Sequence, residues 1–92
     1  MRGRERIASE LQDARRGLDT AEEQFSAATR RAELLRARVA LLEKAFQAGE
    51  GGLPDLLRSI TVASEAEQAA AQQEAARGLA RARFQQASGV LP

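Results

Sequence analysis

Apolar side chains recur along the first half of the chain at alternating steps of four and three residues. The series contains Ile7, Leu11, Ala14, Leu18, Ala21, Phe25, Ala28, Ala32, Leu35, Val39, Leu42 and Phe46. Steps of this kind place every member on one stripe of an α-helix that packs against another helix. A β-strand, which repeats every two residues, would divide the same residues between two faces. The pattern predicts one long helix over about residues 4–48.

Glycine and proline cluster in the stretch Gly-Glu-Gly-Gly-Leu-Pro, which predicts a turn over residues 49–54. Gly49 is suited to the left-handed conformation that closes a helix, and Pro54 is suited to the first position of the next one. Asp55 places a negative charge in the first turn of that helix, where the helix dipole favours it.

The apolar pattern after the turn is helical but weaker, because it consists mainly of alanine. One stripe contains Leu56, Ile60, Ala63 and Ala70, and a second contains Val62, Ala66, Ala69, Ala76, Ala80, Ala87 and Leu91. Alanine, glutamine and glutamate favour a helix but bury little surface. The pattern predicts a second helix over about residues 55–88, antiparallel to the first because the connection is short.

We therefore expect an all-α fold for residues 1–92, a single long antiparallel two-helix coiled-coil hairpin. The first helix carries a second apolar stripe, formed by Ala27, Leu34, Leu41 and Ala48. Two helices cannot bury two stripes each, so the hairpin is expected to self-associate or to pack into a larger assembly. A dimer that forms a four-helix bundle is the simplest closed arrangement, and higher oligomers are the alternative.

Composition excludes several classes of function. The 92 residues include 14 basic and 13 acidic side chains, and a net charge of +1 gives no reason to expect nucleic-acid binding. Cysteine and histidine are absent, so neither a disulfide nor a Cys/His zinc site is expected. No apolar run is long enough for direct membrane insertion, and no signal peptide is recognisable, so the isolated chain is expected to be soluble or cytoplasmic.

Candidate catalytic groups are also weak. The acidic neighbours Glu22 and Glu23, and the pair Glu65 and Glu67, point in different directions around a helix and are expected to be solvated surface charges. No nucleophile, base or metal-ligand set comes together in the pattern. We expect no enzymatic activity and no catalytic, cofactor or metal site.

The stretch over residues 45–58 resembles the tip motif of TolC-like outer-membrane efflux proteins. In that family the tip has an aromatic residue, two further residues, a glycine, a short polar stretch, an apolar residue and an Asp/Glu-Leu-Leu triplet. Phe46, Gly49 and Asp55 occupy these places here, although the family more often has tyrosine at the first of them. The Glu-Gly-Gly turn followed by Leu-Leu-Arg is most similar to the heavy-metal efflux branch.

The resemblance extends over most of the chain. The long alanine-rich helix and its ending Ala-Ser-Gly-Val-Leu-Pro at residues 87–92 are similar to the family pattern, with Ser88 where leucine is common. Arg58 stands where some members have a second aspartate.

This resemblance implies a parent protein and a set of partners. The hairpin would be part of a larger trimeric channel, at the periplasmic tip of its C-terminal repeat, in the periplasmic portion of an outer-membrane protein. Its turn would dock on a periplasmic adaptor (membrane fusion) protein within a tripartite efflux pump. The implied docking residues are Phe46, Ala48, Gly49, Glu50 and Gly51, and the implied pore constriction contains Asp55 and Arg58.

Four of these residues also have a simpler interpretation. Phe46 continues the first apolar stripe, Gly49 is a natural helix cap, Asp55 stabilises a helix start, and Arg58 is an ordinary solvated charge. Two alternative functions remain at this point. Instead of a channel tip, the chain would be a free-standing coiled-coil scaffold or the coiled-coil hairpin of an adaptor protein, which would be flanked by lipoyl-like β segments.

Overall fold

The structure, a computed structural model, describes residues 2–89, which form two α-helices joined by a tight turn. Helix α1 is Arg2–Gln47 and helix α2 is Leu53–Gly89. They lie side by side and antiparallel in a rod of 72 × 17 × 13 Å. The all-α hairpin predicted from the sequence is confirmed, although each helix begins about two residues earlier than expected and α1 ends one residue earlier.

The interface between the helices follows the stripe predicted for α1. Every member from Ile7 to Leu42 is at least partly buried, and Ala21, Ala32 and Val39 are buried most completely. Phe46 is the exception, with 40% of its surface exposed, because α1 ends one residue later. The four-and-three spacing therefore identifies the packed face of α1 correctly.

Bulky apolar side chains concentrate next to the turn. Val39, Leu56 and Ala63 form a buried cluster, against which further branched side chains pack. These partly buried neighbours are Leu35, Leu42 and Ile60. The other buried apolar residues, Ala21, Ala32 and Ala66, lie farther from the turn and are all alanines. The apolar packing therefore becomes thinner from the turn towards the open end of the hairpin.

The face that α2 turns towards α1 differs from both stripes predicted for it. Its members, all at least partly buried, are Leu56, Ile60, Ala63, Ala66, Ala70, Gln73, Arg77, Ala80, Phe84 and Ala87. Ala66 thus joins the first predicted stripe, while Ala69 and Ala76 of the second are exposed. Leu91 and the rest of residues 90–92 lie outside the described residues. The apolar pattern does not predict this face correctly, because Gln73 and Arg77 are polar residues that occupy interface positions.

Arginine side chains cover the two aromatic rings in the thin part of the interface. The guanidinium carbon of Arg77 in α2 lies 4.2 Å from the ring centroid of Phe25 in α1. In the reciprocal arrangement, Arg15 of α1 lies 5.5 Å from the ring centroid of Phe84 in α2. A cation above an aromatic face is attracted to it, and the long arginine stem adds apolar cover. These contacts join the helices where alanine contributes little.

A third cross-helix contact is an ion pair. Arg36 Nε donates a hydrogen bond to Glu67 Oε2 at 3.0 Å, and Nη2 donates to Oε1 of the same carboxylate. The two parallel bonds fix the geometry of the pair as well as its distance. Hydrogen bonding to Arg36 lowers the pKa of Glu67, and the same bonds raise the pKa of Arg36.

We expect Val39→Ala to lower the free energy of unfolding by about 2 kcal/mol, because it removes buried branched bulk from the main apolar cluster. Leu57→Ala is the matched control, since Leu57 is 52% exposed and lies in the same region of the hairpin. Urea unfolding monitored by circular dichroism measures both. Equal losses in the two variants would contradict the assignment of the core.

We expect Glu67→Gln to be less stable than the original chain at neutral pH, with the difference disappearing in acid. The pKa of Glu67 is lowered in the folded state, so the unfolded chain binds its proton more readily. The stabilisation is therefore present above the ordinary glutamate pKa and is lost as pH falls through the lowered one. Glu23→Gln, at an exposed position with no ion pair among the described residues, is the control. Thermal unfolding across the acid range measures both variants.

Candidate functional site

The turn at the tip of the hairpin closes α1 with a specific hydrogen-bond pattern. The N–H of Gly49 donates to the carbonyl of Phe46 at 3.0 Å, and the N–H of Glu50 donates to the carbonyl of Ala45 at 2.7 Å. Gly49 has a φ of 79°, in the left-handed region. These are the features of a Schellman motif, in which a glycine satisfies the last carbonyls of a helix. The predicted helix-capping role of Gly49 is confirmed.

A second glycine completes the reversal of the chain. Gly51 has a φ of 130°, a conformation that residues with a Cβ rarely adopt. A Cβ built on Gly51 would lie 4.0 Å from the Cβ of Ala45, so space does not exclude a side chain there. Glycine is needed for the backbone angle. The Gly-Gly pair at residues 51–52 indicates a turn, but the pair alone does not identify which glycine has the special conformation.

Helix α2 begins on the far side of the turn. The carbonyl of Gly52 accepts a hydrogen bond from the N–H of Leu56 at 3.3 Å, which starts the helix. Pro54 is the second residue of α2, whereas the sequence predicts it at the first position of the helix. Its missing N–H costs nothing there, because N–H groups in the first turn have no partner within the helix. Asp55 lies in the first turn, as predicted.

The two residues proposed for a pore constriction are paired with each other. Arg58 Nη2 donates to Asp55 Oδ1 at 3.0 Å, and both side chains are strongly exposed. They border a shallow groove near the tip together with Arg38 and Val62. Arg38 is a further charged neighbour of this pair. It is not recognisable from the sequence, because a single arginine on a helix does not indicate a functional role. Whether Asp55 faces a pore stays a prediction.

The residues predicted to meet an adaptor lie together at the tip. Ala48, Gly49, Glu50 and Gly51 are consecutive and exposed, and Phe46, two residues before Ala48, is also exposed. The structure therefore presents these positions as one continuous surface. Glu50 carries the only charged side chain of residues 48–52.

Within residues 2–89, no group of Asp and Glu side chains is arranged to hold a metal ion. In the same range, neither helix has a stretch that is long and apolar enough to cross a membrane. No protein-family model matches the chain, and no curated protein or solved structure matches it either. The function is therefore inferred from the turn and from the sides of the hairpin.

We expect Gly49→Val to destabilise the hairpin by at least about 1 kcal/mol, because valine must adopt the left-handed conformation of this position. No atom lies within 4 Å of a Cβ built at Gly49, so the expected loss is conformational and not steric.

Gly78→Ala is the matched control and should act in the opposite direction. Gly78 lies inside α2 with open space around its Cα, so alanine should stabilise the helix by about 1 kcal/mol. Denaturant unfolding of both variants tests the pair. A neutral Gly49→Val would contradict the capping role.

Proposed function

We propose that this hairpin is the periplasmic tip segment of a TolC-like efflux channel, in which the turn docks on a periplasmic adaptor protein. The observation that carries the proposal is the exposed, glycine-capped turn at one end of a rod 72 Å long. A long helical hairpin that presents only its tip to a partner is well suited to reach across a space between two membranes.

Small residues support close docking of a partner at the turn. Apart from Glu50, residues 48–52 have no side chain larger than a methyl group. A helix or loop of a partner can therefore approach the backbone of the turn closely. The N–H groups of Gly51 and Gly52 donate no hydrogen bond within the described residues, so they remain available to acceptors on the partner or to water.

Rigidity of the tip supports the same proposal. The buried cluster of Val39, Leu56 and Ala63 lies close behind the turn, and the Schellman hydrogen bonds hold the exit from α1. A surface that is already ordered loses less conformational entropy when it binds. The tip of this hairpin is therefore better preorganised for docking than its open end.

Ala48→Leu is expected to weaken docking on the adaptor in the full-length channel without lowering the stability of the hairpin. Ala48 is exposed and does not have a positive φ, so leucine causes no backbone strain and adds only bulk to the turn surface. Ala75→Leu, at an exposed position in the middle of α2, is the matched control and should leave docking unchanged.

Cross-linking to the adaptor and efflux-dependent resistance are the two measurements for this pair of variants. Loss of both with Ala48→Leu alone supports the docking turn. Wild-type cross-linking and resistance with Ala48→Leu would refute it and favour a free-standing scaffold.

Asp55→Ala should have a different effect, because Asp55 is proposed to face the pore and not the adaptor. We expect cross-linking to persist while single-channel conductance or resting leak changes. Arg58→Ala removes the partner of Asp55 in the ion pair and should alter conductance in the opposite direction, because it removes a positive charge from the same place. If both variants conduct like the original channel, these residues do not form the constriction.

A further inference from the structure

The two long sides of the hairpin differ in chemistry. One side carries the Arg36–Glu67 ion pair and the contact between Arg77 and Phe25. The other side, here called the apolar side, is defined by Ala27, Leu34 and Leu41 of α1 and Val62, Ala69, Ala76 and Leu79 of α2. Most of these residues are those that the sequence predicted as a second stripe on each helix.

Two grooves on this side are each lined by residues of both helices. Near the turn, Arg38 and Val62 line one groove, and towards the open end Gln24 and Leu79 line another. Residues seven apart share a face of a coiled-coil helix, so Gln24 and Arg38 mark one continuous edge of α1. Leu34 precedes Arg38 by one helical turn and borders the same edge.

Large apolar side chains are left uncovered on this side. Leu34 is 73% exposed, Leu41 is 68% exposed and Leu79 is 55% exposed. Exposed apolar residues are ordinary when they are scattered, but Leu34 and Leu41 are one heptad apart on α1 and therefore share one face of it. A partner with the same distribution of apolar residues would cover them.

We propose that a second copy of this chain docks on the apolar side and completes an up-down four-helix bundle. In this bundle the two-fold axis runs along the rod, so α1 of each copy lies antiparallel to α2 of the other. Both tips then point in the same direction and remain free. All four neighbouring helix pairs are antiparallel, which is a common arrangement for bundles with short connections.

The positions of the apolar residues fit this arrangement level by level. The Arg36–Glu67 ion pair shows which residues of α1 and α2 lie at equal distances from the turn. Five residues from that pair towards the turn, Leu41 is level with Val62. Heptad steps from there away from the turn make Leu34 level with Ala69, and Ala27 level with Ala76. A rotation about an axis along the rod does not change the distance of a residue from the turn. Each residue of α1 named here therefore lies opposite its level partner in α2 of the second copy.

Charge complementarity favours the same register. Arg38, which lines the groove near the turn, is level with Glu65 of α2. Both are exposed, and neither makes an ion pair among the described residues. In the bundle, Arg38 of each copy faces Glu65 of the second copy, so the contact occurs twice by symmetry. The reversed docking, with the tips at opposite ends, does not bring these two charges together.

The area available is sufficient for a stable dimer. Helix α2 has 37 residues, which corresponds to a length of roughly 55 Å. With the 17 Å width of the rod, this whole side has a projected area of roughly 900 Å² per copy, polar residues included, and a stable protein interface buries about 800 Å² per partner.

Sedimentation equilibrium of the full chain at tens of micromolar tests the stoichiometry. We expect a dimer, and we expect the double variant Leu34→Glu/Leu41→Glu to be a monomer with unchanged helicity, since both side chains are exposed in the single hairpin. Leu57→Glu, which places the same charge at an exposed leucine away from the apolar side, should leave the dimer intact. A monomer or a trimer for the original chain would overturn the proposal.

The register is tested by exchanging the charges. Arg38→Glu should weaken the dimer about tenfold, because it replaces two attractions by two repulsions. Adding Glu65→Arg to the same chain should restore the original affinity. A double variant that stays as weak as the single one would overturn this register.

Disulfide trapping gives a second measurement of the register, since the chain has no cysteine of its own. Leu41→Cys chains mixed with Val62→Cys chains should form the mixed disulfide faster than either variant forms one alone. Faster homodimer trapping by Leu41→Cys would contradict the antiparallel neighbours.

The inference goes beyond the proposed function, because docking on an adaptor uses the turn whereas the dimer uses the apolar side. A chain that is monomeric but still docks through its turn refutes the dimer alone. A dimer in which Ala48→Leu has no effect on adaptor docking refutes the channel proposal alone.

Discussion

Two helices packed side by side can bury only the stripe that each turns towards the other, and in this chain most of the fully buried positions of that stripe are alanines. Beyond the branched cluster near the turn, the buried residues Ala21, Ala32 and Ala66 remove little apolar surface from water. The hairpin is therefore well packed next to the turn and weakly packed towards its open end. The remaining contacts between the helices, and the partners proposed for its tip and its apolar side, follow from this uneven distribution of bulk.

Polar contacts provide the specificity that alanine cannot. Ala14, Ala21 and Ala28 repeat every seven residues, so a slip of one heptad would present alanine to α2 again along this row of α1. Such a slip would separate Arg36 from Glu67 and Arg77 from Phe25. The turn fixes the register at its own end, and these contacts fix it along the rest of the rod. Their individual energies are modest, but each excludes an alternative pairing of the helices.

The sequence predicts the packed face of α1 well because apolar residues occupy nearly every position of it, from Ile7 to Leu42. It predicts the packed face of α2 less well, because Gln73 and Arg77 lie in the interface and a pattern of apolar residues does not include them. Arg77 belongs there because its stem packs and its cation meets the ring of Phe25, which only three-dimensional proximity reveals. At the turn, Gly49 was recognisable as a helix cap, whereas the unusual angle of Gly51 depends on how α2 is entered.

The position of the branched cluster also sets the order in which the hairpin assembles. Contacts next to a short turn close the smallest loops, so they form at the lowest cost in chain entropy, and each further pair of residues extends an existing structure. Folding is expected to begin with Val39, Leu56 and Ala63 and to zip outward along the alanine-rich stretch. Opening proceeds in the reverse order, from the distant ends inward. The tip is therefore both the first part of this molecule to form and the last to come apart.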